Sequence, residues 1–319
     1  MKILITGGAG FIGSHLADFL VEKGLKDVYV EYWSGDSLEN VSHLKGRTKF
    51  IKLDVRDTGN VRKSIAAIRP DIIFHLAAQS YVTESWKRPK ETLETNIIGT
   101  FNLYDAVIRA DVNPVIITAC SSAEYGTTIK KEIPIKEERE FRPISPYAVS
   151  KITQDMLSLQ YHKSHGLRII RARIFNTIGA RKVGNACSDF AKGIAEIEAG
   201  LSDHLKVGNV EAVVDFTDVK DTVRALWTLY EKGRPGEAYN VCSGKGTKVN
   251  DIVKILVGMA KTDIKVKQDE SRMRIIDDPI YIGDNKKMRS LGWKPEIRLE
   301  QSLREILEYW RGRMNGKKK

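Results

Sequence analysis

Residues 2–13 read KILITGGAGFIG, an apolar run that leads directly into regularly spaced glycines. The run predicts a buried strand, and the apolar spacing after it predicts a helix. Between them Gly7 allows a tight turn, Gly10 lets the backbone approach a pyrophosphate, and Gly13 lets the helix pack closely on the strand. The amino terminus of that helix attracts phosphate charge. This stretch therefore predicts a dinucleotide site in the first strand–helix turn.

The first half of the chain repeats this alternation of apolar runs and amphipathic helices. Further strands are predicted at 27–32, 49–55, 71–78, 113–120 and 167–173, with helices at 58–69, about 91–109 and 146–164. Almost wholly apolar strands that alternate with helices form a parallel sheet covered on both faces. Because such crossovers are right-handed, the pattern predicts an α/β fold with a doubly wound parallel sheet of the Rossmann type.

The second half of the chain is less regular. We predict that residues 1–175 form the dinucleotide-binding Rossmann domain. Residues 176–319 are predicted to form a smaller C-terminal substrate-binding lobe at the carboxyl edge of the sheet, where ligands of such sheets bind. The segment at about 212–235 is predicted to return to the first domain, and the run AYNVCSG (238–244) is predicted to be a short strand of the lobe.

Composition excludes several classes of protein. With 42% hydrophobic and 29% charged residues, the chain is neither disordered nor membrane-spanning. Its net charge of +11 is spread along the sequence without a nucleic-acid-binding motif, so a cleft for anionic small molecules is favoured over a nucleic-acid partner. The apolar run after Met1 is too short for a signal or a membrane-spanning segment, so the cytoplasm is the expected compartment.

Cysteine and histidine spacing indicates neither a disulfide framework nor a metal site. Cys120, Cys187 and Cys242 are far apart in the sequence and form no CxxC pair. His162 and His165 lie one turn apart on a predicted helix without a carboxylate to complete a ligand set. A solvated helix face is therefore favoured for the two histidines, and no metal is expected.

The run YAVSK (147–151) carries the predicted chemistry. Tyr147 and Lys151 are four residues apart on a predicted helix and so project from one face. A tyrosine with an ordinary pKa of about 10 is a weak base at neutral pH, and a neighbouring ammonium is expected to lower that pKa. Alone, the two residues would be an ordinary pair on a helix surface. Together with the glycine motif they predict a catalytic pair.

Five segments extend these motifs into a family resemblance. They are TGGAGFIG (6–13), NIIGT (96–100), SPYAVSK (145–151), RARIFNTIGAR (171–181) and EAYNVCSG (237–244). The chain resembles the extended short-chain dehydrogenase/reductase family, the NAD-dependent epimerases and dehydratases, whose members mostly modify nucleotide sugars. Its second half is most similar to GDP-4-keto-6-deoxy-D-mannose reductases and then to GDP-mannose 4,6-dehydratases. The resemblance implies a homodimer paired through the helices at about 91–109 and 146–164.

The resemblance also implies which residues bind a nicotinamide coenzyme. They are Gly7, Gly10, Phe11, Ile12, Gly13, Glu31, Asp54, Val55, Ala77, Ala78, Gln79, Tyr147 and Lys151. Glu31 ends the second predicted strand, where a carboxylate accepts hydrogen bonds from the adenosine ribose and repels a 2′-phosphate. NAD(H) is therefore favoured, and NADP(H) is the alternative. An exposed acid without this role is the other interpretation of Glu31.

The stretch ACSSAEYG (119–126) bears on the type of reaction. By resemblance Ser121 holds the reacting oxygen and completes a catalytic group with Tyr147 and Lys151. In the related dehydratases a Glu removes the C5 proton of the sugar, and the register puts Ala123 at that position. Glu124, one residue later on an extended strand, would face the opposite side unless the strand turns there. The sequence therefore disfavours elimination of water.

Several residues are candidates for contacts with the nucleotide sugar. They are Ser122, Glu124, Asn176, Arg181, Val207 and Arg274. An arginine that contacts the diphosphate in many family members is replaced here by Val214, so Arg274 and Asn176 are expected to carry that role. For the two arginines, a surface position is the alternative.

The expected activity is hydride transfer between nicotinamide C4 and sugar C4. Reduction of GDP-4-keto-6-deoxy-D-mannose to GDP-rhamnose is the first expectation, so a GDP-sugar is the favoured substrate. A nucleotide-sugar 4-epimerase or a GDP-mannose 4,6-dehydratase with tightly bound NAD(P) is the alternative. A non-catalytic dinucleotide sensor would be expected to lack Ser121, Tyr147 or Lys151, and all three are present.

Overall fold

Seven parallel strands form the central sheet of the protein. The computed structural model describes residues 1–270 and 280–316. The strands are β1 (Ile3–Thr6), β2 (Val28–Tyr32), β3 (Lys49–Lys52), β4 (Ile72–His75), β5 (Val115–Ser121), β6 (Arg168–Ile174), β7 (Asn176–Ile178), β8 (Leu205–Val207), β9 (Val213–Asp218), β10 (Ala238–Val241), β11 (Gly246–Lys248), β12 (Val266–Gln268) and β13 (Ile280–Tyr281). The central sheet has the order β10-β6-β5-β4-β1-β2-β3, and every neighbouring pair is parallel. The predicted doubly wound α/β fold is confirmed.

Helices cover both faces of this sheet. They are α1 (Phe11–Glu22), α2 (Thr58–Ile68), α3 (Val82–Lys87), α4 (Pro89–Leu93), α5 (Gly99–Arg109), α6 (Pro146–His165), α7 (Ala186–Glu198), α8 (Val219–Lys232), α9 (Val249–Gly258), α10 (Lys286–Ser290) and α11 (Leu299–Gly316). Successive side chains of β1 point to opposite faces. Ile3 therefore packs with Leu16 of α1 and Leu226 of α8, whereas Leu4 packs with Leu103 of α5. Burying each such side chain contributes about 1.5–3 kcal/mol.

The last strand of the central sheet comes from the second half of the chain. Ala238 to Val241 form β10, which pairs in parallel with β6. The prediction that AYNVCSG belongs to the smaller lobe is therefore wrong, because its backbone completes the central sheet. Its apolar residues are buried like those of the other central strands. Within the segment at about 212–235, α8 packs against α1.

A second core lies in the C-terminal half. Strands β7, β9, β11 and β13 form a smaller sheet, and β8 pairs with β12. Helices α7, α9 and α11 pack around a cluster of buried side chains that includes Phe190, Ile252 and Leu307. These elements come from residues 176–319, the segment predicted to form a smaller lobe, and its role in substrate binding stays a prediction.

The helix predicted at about 91–109 is interrupted by a wider turn. After α4, residues Glu94–Ile98 form a single π-helical turn, and α5 follows directly from Gly99. Such turns insert one extra residue into a helix and often occur at functional sites. Here the turn carries Asn96, a buried amide that reaches two other segments.

Two further findings concern membrane-spanning helices and the cysteines. Within residues 1–270 and 280–316, no helix combines the length and the apolar character needed to cross a bilayer. Cys120, Cys187 and Cys242 are all buried free thiols.

Candidate active site

The glycine-rich turn between β1 and α1 is shaped so that only glycine fits at two positions. Gly7 has a φ of +67°, and a Cβ there would lie 2.8 Å from the backbone nitrogen of Ala77. A Cβ on Gly13 would lie 2.2 Å from the carbonyl oxygen of Gly7. Gly10 caps the helix, and Phe11 and Ile12 begin it, so their N–H groups have no acceptor within the helix. The tight packing and the unpaired N–H groups support the predicted diphosphate site, which stays a prediction.

Glu31 lies beneath this turn. It is 3% exposed, and its Oε2 accepts a hydrogen bond of 2.5 Å from the N–H of Gly7. The alternative of an exposed acid is therefore wrong. Burial raises the pKa of Glu31 to about 8, and the carboxylates of Asp36 and Asp54 add to the effect, although the Gly7 bond opposes it.

Asp54 and Val55, the candidates for the adenosine side, follow β3. The Asp54 carboxylate accepts hydrogen bonds of 2.7 to 3.1 Å from the Arg56 guanidinium. Val55 is buried against Gly99, where an added Cβ would lie 2.7 Å from its Cγ2. Both residues therefore lie at the carboxyl edge of the sheet, beside β2.

Asn96 of the π-helical turn fixes the loop that follows β4. Its Oδ1 accepts a hydrogen bond of 2.8 Å from the N–H of Gln79, and its Nδ2 donates to the Gln79 carbonyl oxygen at 3.1 Å. The same Nδ2 also lies 2.9 Å from Ser150 Oγ on α6. One buried amide therefore ties the segment of Ala77, Ala78 and Gln79 to the helix that carries Tyr147 and Lys151.

The three predicted catalytic residues come together at the carboxyl end of β5. Ser121 ends this strand, Tyr147 lies in the first turn of α6, and Lys151 lies one turn later. A hydrogen bond joins the side chains of Ser121 and Tyr147. Lys151 Nζ is 6.0 Å from the centre of the Tyr147 ring. It donates to the Ala119 carbonyl oxygen at 2.8 Å and to Gln154 Oε1 at 2.6 Å, and both bonds fix its position.

Burial shifts the pKa values of this group. Burial raises the pKa of Tyr147 to about 12, with the carboxyl of Glu124 adding to it and the Ser121 hydrogen bond opposing it. Burial also lowers the pKa of Lys151 to about 8. The net pKa of Tyr147 is therefore raised in the chain without coenzyme, because desolvation of the phenol dominates. The lowering expected from Lys151 together with the nicotinamide stays a prediction. At neutral pH Tyr147 is protonated and can donate a proton.

The strand turns before Glu124, which is the alternative that the sequence left open. β5 ends at Ser121, and Ser122–Tyr125 form one 3₁₀ turn. Glu124 is 0% exposed, and its Oε1 accepts a 2.7 Å hydrogen bond from the N–H of Ser121. In return Ser121 Oγ accepts from the N–H of Ala123 at 3.1 Å. Glu124 therefore orients Ser121 from below, and its predicted contact with the substrate is corrected to this buried role.

Three charged residues that were not predicted from the sequence lie beneath Ser121. Asp155 on α6 accepts from Arg171 Nη1 at 2.5 Å and from Arg173 Nε at 2.9 Å, and Arg173 Nε is 3.5 Å from Glu124 Oε2. Although burial alone would raise the pKa of Asp155, the two arginines lower it, whereas burial and the Asp155 charge raise the pKa of Glu124. The signal available in the sequence was the presence of three arginines within the otherwise apolar run RIIRARI (168–174), of which Arg171 and Arg173 lie under the site.

This cluster also meets the distance requirement for a metal site. Ligand atoms of Cys120, Glu124 and Asp155 lie within 4.8 Å of one another. The guanidinium groups of Arg171 and Arg173 already satisfy Asp155, and their charge opposes a bound cation. We therefore interpret the cluster as the support of Ser121.

The remaining candidates for substrate contacts differ in their surroundings. Asn176 is exposed at the start of β7, and Ser122 is buried, with its carbonyl oxygen accepting from the Tyr281 hydroxyl. Arg181 forms an ion pair of 2.7 Å with Asp18 of α1. Val207 is 5% exposed in the second core, so its side chain serves packing rather than the predicted substrate contact. Arg274 lies outside the described residues.

Together these features define a class of protein. A glycine-rich turn that only glycine can form and a Ser121–Tyr147–Lys151 group occupy the carboxyl edge of one parallel sheet. This combination is that of the NAD(P)-dependent short-chain dehydrogenases/reductases.

Comparison with known proteins narrows the class. Residues 4–306 match the family model described as GDP-mannose 4,6 dehydratase. The chain is 33% identical to the GDP-6-deoxy-D-mannose reductase of Pseudomonas aeruginosa, over 98% of both chains. It is 30% identical to the solved structure of RMD from Pseudomonas aeruginosa complexed with NADPH, with a TM-score of 0.84 over 98% of this chain and 99% of that one. The UDP-glucose 4-epimerase of Thermus thermophilus in complex with NAD is 28% identical, with a TM-score of 0.87 over 98% and 99%. The chain belongs to the GDP-mannose 4,6-dehydratase family.

Proposed function

We propose that this enzyme reduces the 4-keto group of a nucleotide-activated sugar, and specifically that it converts GDP-4-keto-6-deoxy-D-mannose to GDP-rhamnose. One observation carries the proposal. The protonated Tyr147 phenol is hydrogen-bonded to Ser121, while the neighbouring carboxyl of Glu124 is buried beneath them. The site therefore holds a proton donor for a forming alkoxide.

The roles of the side chains follow from their positions. The bound coenzyme would supply the hydride to the sugar C4. Ser121 holds the oxygen on C4, and Tyr147 gives it a proton, since its pKa of about 12 keeps the phenol neutral before the step. The Lys151 ammonium, 6.0 Å from the Tyr147 ring centre, favours the phenolate that remains.

A dehydratase would need a base that reaches C5 of the sugar. Position 123 is an alanine. The Glu124 carboxyl next to it is fully buried and is bonded to the N–H of Ser121. Neither residue supplies a carboxylate to the cleft, which supports reduction over elimination.

We propose NAD(H) as the preferred coenzyme and NADP(H) as the alternative. The support for NAD(H) is the position of Glu31 beside the glycine turn, where an acidic side chain can hydrogen-bond an unphosphorylated adenosine ribose. The support for NADP(H) is the similarity to the Pseudomonas aeruginosa structure complexed with NADPH. The direct comparison is the ratio of kcat/KM for the two reduced coenzymes.

The test is incubation of the purified enzyme with GDP-4-keto-6-deoxy-D-mannose and either NADH or NADPH. We expect the absorbance of the reduced nicotinamide to fall and GDP-rhamnose to form in equal amount. A Tyr147→Phe variant serves as the matched control, because it differs only in lacking the ring hydroxyl. Absence of coenzyme oxidation with both NADH and NADPH would exclude the reductase.

A nucleotide-sugar 4-epimerase is the second candidate. It is supported by the similarity to the Thermus thermophilus enzyme in complex with NAD, and by Tyr147, which could serve both half-reactions. An epimerase keeps its coenzyme through a closed cycle. Stoichiometric NAD⁺ released on denaturing the purified protein, with no net oxidation of added NADH, would favour it.

We also propose a homodimer formed through α5 and α6. Exposed apolar side chains recur two turns apart on each helix, at Phe101 and Ile108 on α5 and at Val149 and Met156 on α6. The double variant Phe101→Glu/Val149→Glu is expected to be monomeric by light scattering, whereas the exposed control Leu201→Glu keeps the native mass. A monomeric wild type would contradict the dimer.

We propose the cytoplasm as its compartment. The three free, buried thiols support a reducing environment.

A further inference from the structure

The loop between β7 and α7 crosses the start of α1. At Gly179 an added Cβ would lie 3.5 Å from the ring of Phe11, so the loop packs on that ring. Lys182 in this loop has its Nζ 5.1 Å from the centre of the same ring. Phe11 is the first residue of α1, so the Lys182 ammonium is held on the side chain with which this helix begins. The first N–H groups of the helix have no acceptor within it.

Lys182 has no anionic partner among the residues that the structure describes. Its neighbour Arg181 is paired with Asp18, and Lys220 at the start of α8 is paired with Glu305, so each of these nearby cations already has an acid. Burial lowers the pKa of Lys182 without any opposing charge. Lys182 is partly exposed, and an ammonium held there without a counter-ion favours the binding of an anion.

The charge around the helix end is suited to that anion. The first turn of α1 contains no acidic side chain. The helix dipole places partial positive charge at Phe11 and Ile12, and the Lys182 ammonium adds a full charge beside it. The Phe11 ring holds the ammonium there. A phosphate bound to the helix end would therefore complete the pairing of Lys182.

We propose that Lys182 binds the diphosphate of the dinucleotide coenzyme at the amino terminus of α1, as a cationic arm supplied by the C-terminal half of the chain. The inference rests on the proposed function, since it requires that the turn of Gly7 to Gly13 binds a dinucleotide. It adds a charged residue to a site otherwise built from backbone N–H groups. It also makes coenzyme binding depend on both halves of the chain.

The test is calorimetric titration of wild type, Lys182→Gln and Lys182→Arg with ADP-ribose, NAD⁺, NADP⁺, GDP and adenosine. For Lys182→Gln we expect about tenfold or greater loss of affinity for ADP-ribose and NAD⁺, because one charge-assisted contact is removed, and no change for adenosine. Lys182→Arg should keep most of the affinity. Lys192→Gln is the matched control, because Lys192 also lies over a ring, that of Trp310, but is paired with Glu196.

Each outcome of the titration tests a different part of the proposal. Equal ADP-ribose affinity in wild type and Lys182→Gln would overturn the role of Lys182 and leave the proposed function intact. A loss seen with GDP but not with ADP-ribose would overturn the coenzyme assignment in favour of the sugar nucleotide. If wild type binds none of ADP-ribose, NAD⁺ and NADP⁺, the proposed function itself fails. Thermal unfolding of Lys182→Gln without ligand should match wild type, which separates lost binding from lost folding.

Discussion

At the scale of single residues, Tyr147 combines a raised pKa with a hydrogen bond to Ser121. Burial keeps the phenol in its neutral form, although the Ser121 interaction opposes this shift. Its neighbours on the protein side are fixed in turn, Ser121 by Glu124 and Lys151 by Gln154. Precise placement of this kind is what makes a weak acid effective in proton transfer.

Replacement of Tyr147 by Phe should remove the proton donor and leave the fold unchanged. We expect kcat to fall by about 10²–10⁴-fold, the usual contribution of general acid catalysis, with little change in coenzyme affinity. Steady-state kinetics and a coenzyme titration measure the two quantities. Tyr309→Phe on α11 is the control, and full turnover of Tyr147→Phe would contradict the assignment.

Glu31 should make the stability of the protein depend on pH. Its pKa rises from 4.5 to about 8 on folding, so between these values the unfolded chain loses a proton that the folded chain keeps. The contribution of Glu31 to the free energy of unfolding is therefore full below 4.5 and is lost as the pH rises through about 8. Urea unfolding of wild type and Glu31→Gln, near each of these pH values, should show wild type losing stability relative to the variant at the higher pH. A constant difference would contradict the shift.

The sequence predicted the residues of the site better than their environments. The roles of Gly7 and Gly13 follow from backbone constraints that a local pattern carries, and the structure confirms their tight packing. Glu124 could not be predicted in the same way, because its burial depends on the turn after Ser121 and on Arg173 from another strand. Burial of a polar group is decided by distant parts of the chain, which a local pattern does not contain.

At the scale of elements, the segment from α4 to α5 shows what periodicity can and cannot predict. The apolar spacing predicted a helix at about 91–109, and helical residues do continue to Arg109. The π-helical turn at Glu94–Ile98 was not predicted, because one extra residue in a turn hardly changes the apolar pattern. Its effect is to bring Asn96 against both Gln79 and Ser150.

Replacement of Asn96 by Ala should therefore affect both stability and binding. The N–H of Gln79 would lose its acceptor inside the protein, at a cost of about 1–3 kcal/mol in the free energy of unfolding. We expect weaker coenzyme binding as well, since the loop after β4 would be less fixed. Denaturant unfolding and coenzyme titration check both, with the exposed Asn113→Ala as control. Unchanged stability would show that the amide does not hold the loop.

At the scale of the whole molecule, the central sheet is built from both halves of the chain. β10 pairs along β6, and Asn240 within it accepts from the Tyr125 hydroxyl and donates to the Ile135 carbonyl oxygen. The floor of the candidate active site thus depends on a strand far along the sequence. The local sequence pattern predicted the strand β10 itself. It did not predict that β10 pairs with β6, because strand pairing depends on the path of the whole chain.

A fragment of residues 1–175 should therefore not fold as an independent domain. Without β10 the edge of β6 would be open, and Tyr125 would lose its buried partner Asn240. We expect the fragment to aggregate or to show no cooperative unfolding, whereas residues 1–245 should regain part of the cooperativity. Circular dichroism during thermal unfolding distinguishes the two, and a cooperative transition of the shorter fragment would contradict the expectation.

The late position of β10 also has a consequence for synthesis of the protein in a cell. Ribosomes add about 5–20 residues per second, so on the order of several seconds pass between completion of β6 and of β10. During that interval β6 presents an unpaired edge, although its side chains include the charged Arg171 and Arg173. Arg171 and Arg173, two of the three arginines in this otherwise apolar strand, would keep the nascent edge hydrated and hinder pairing with other chains. The same residues that later support Ser121 would thus protect the growing chain before the site exists.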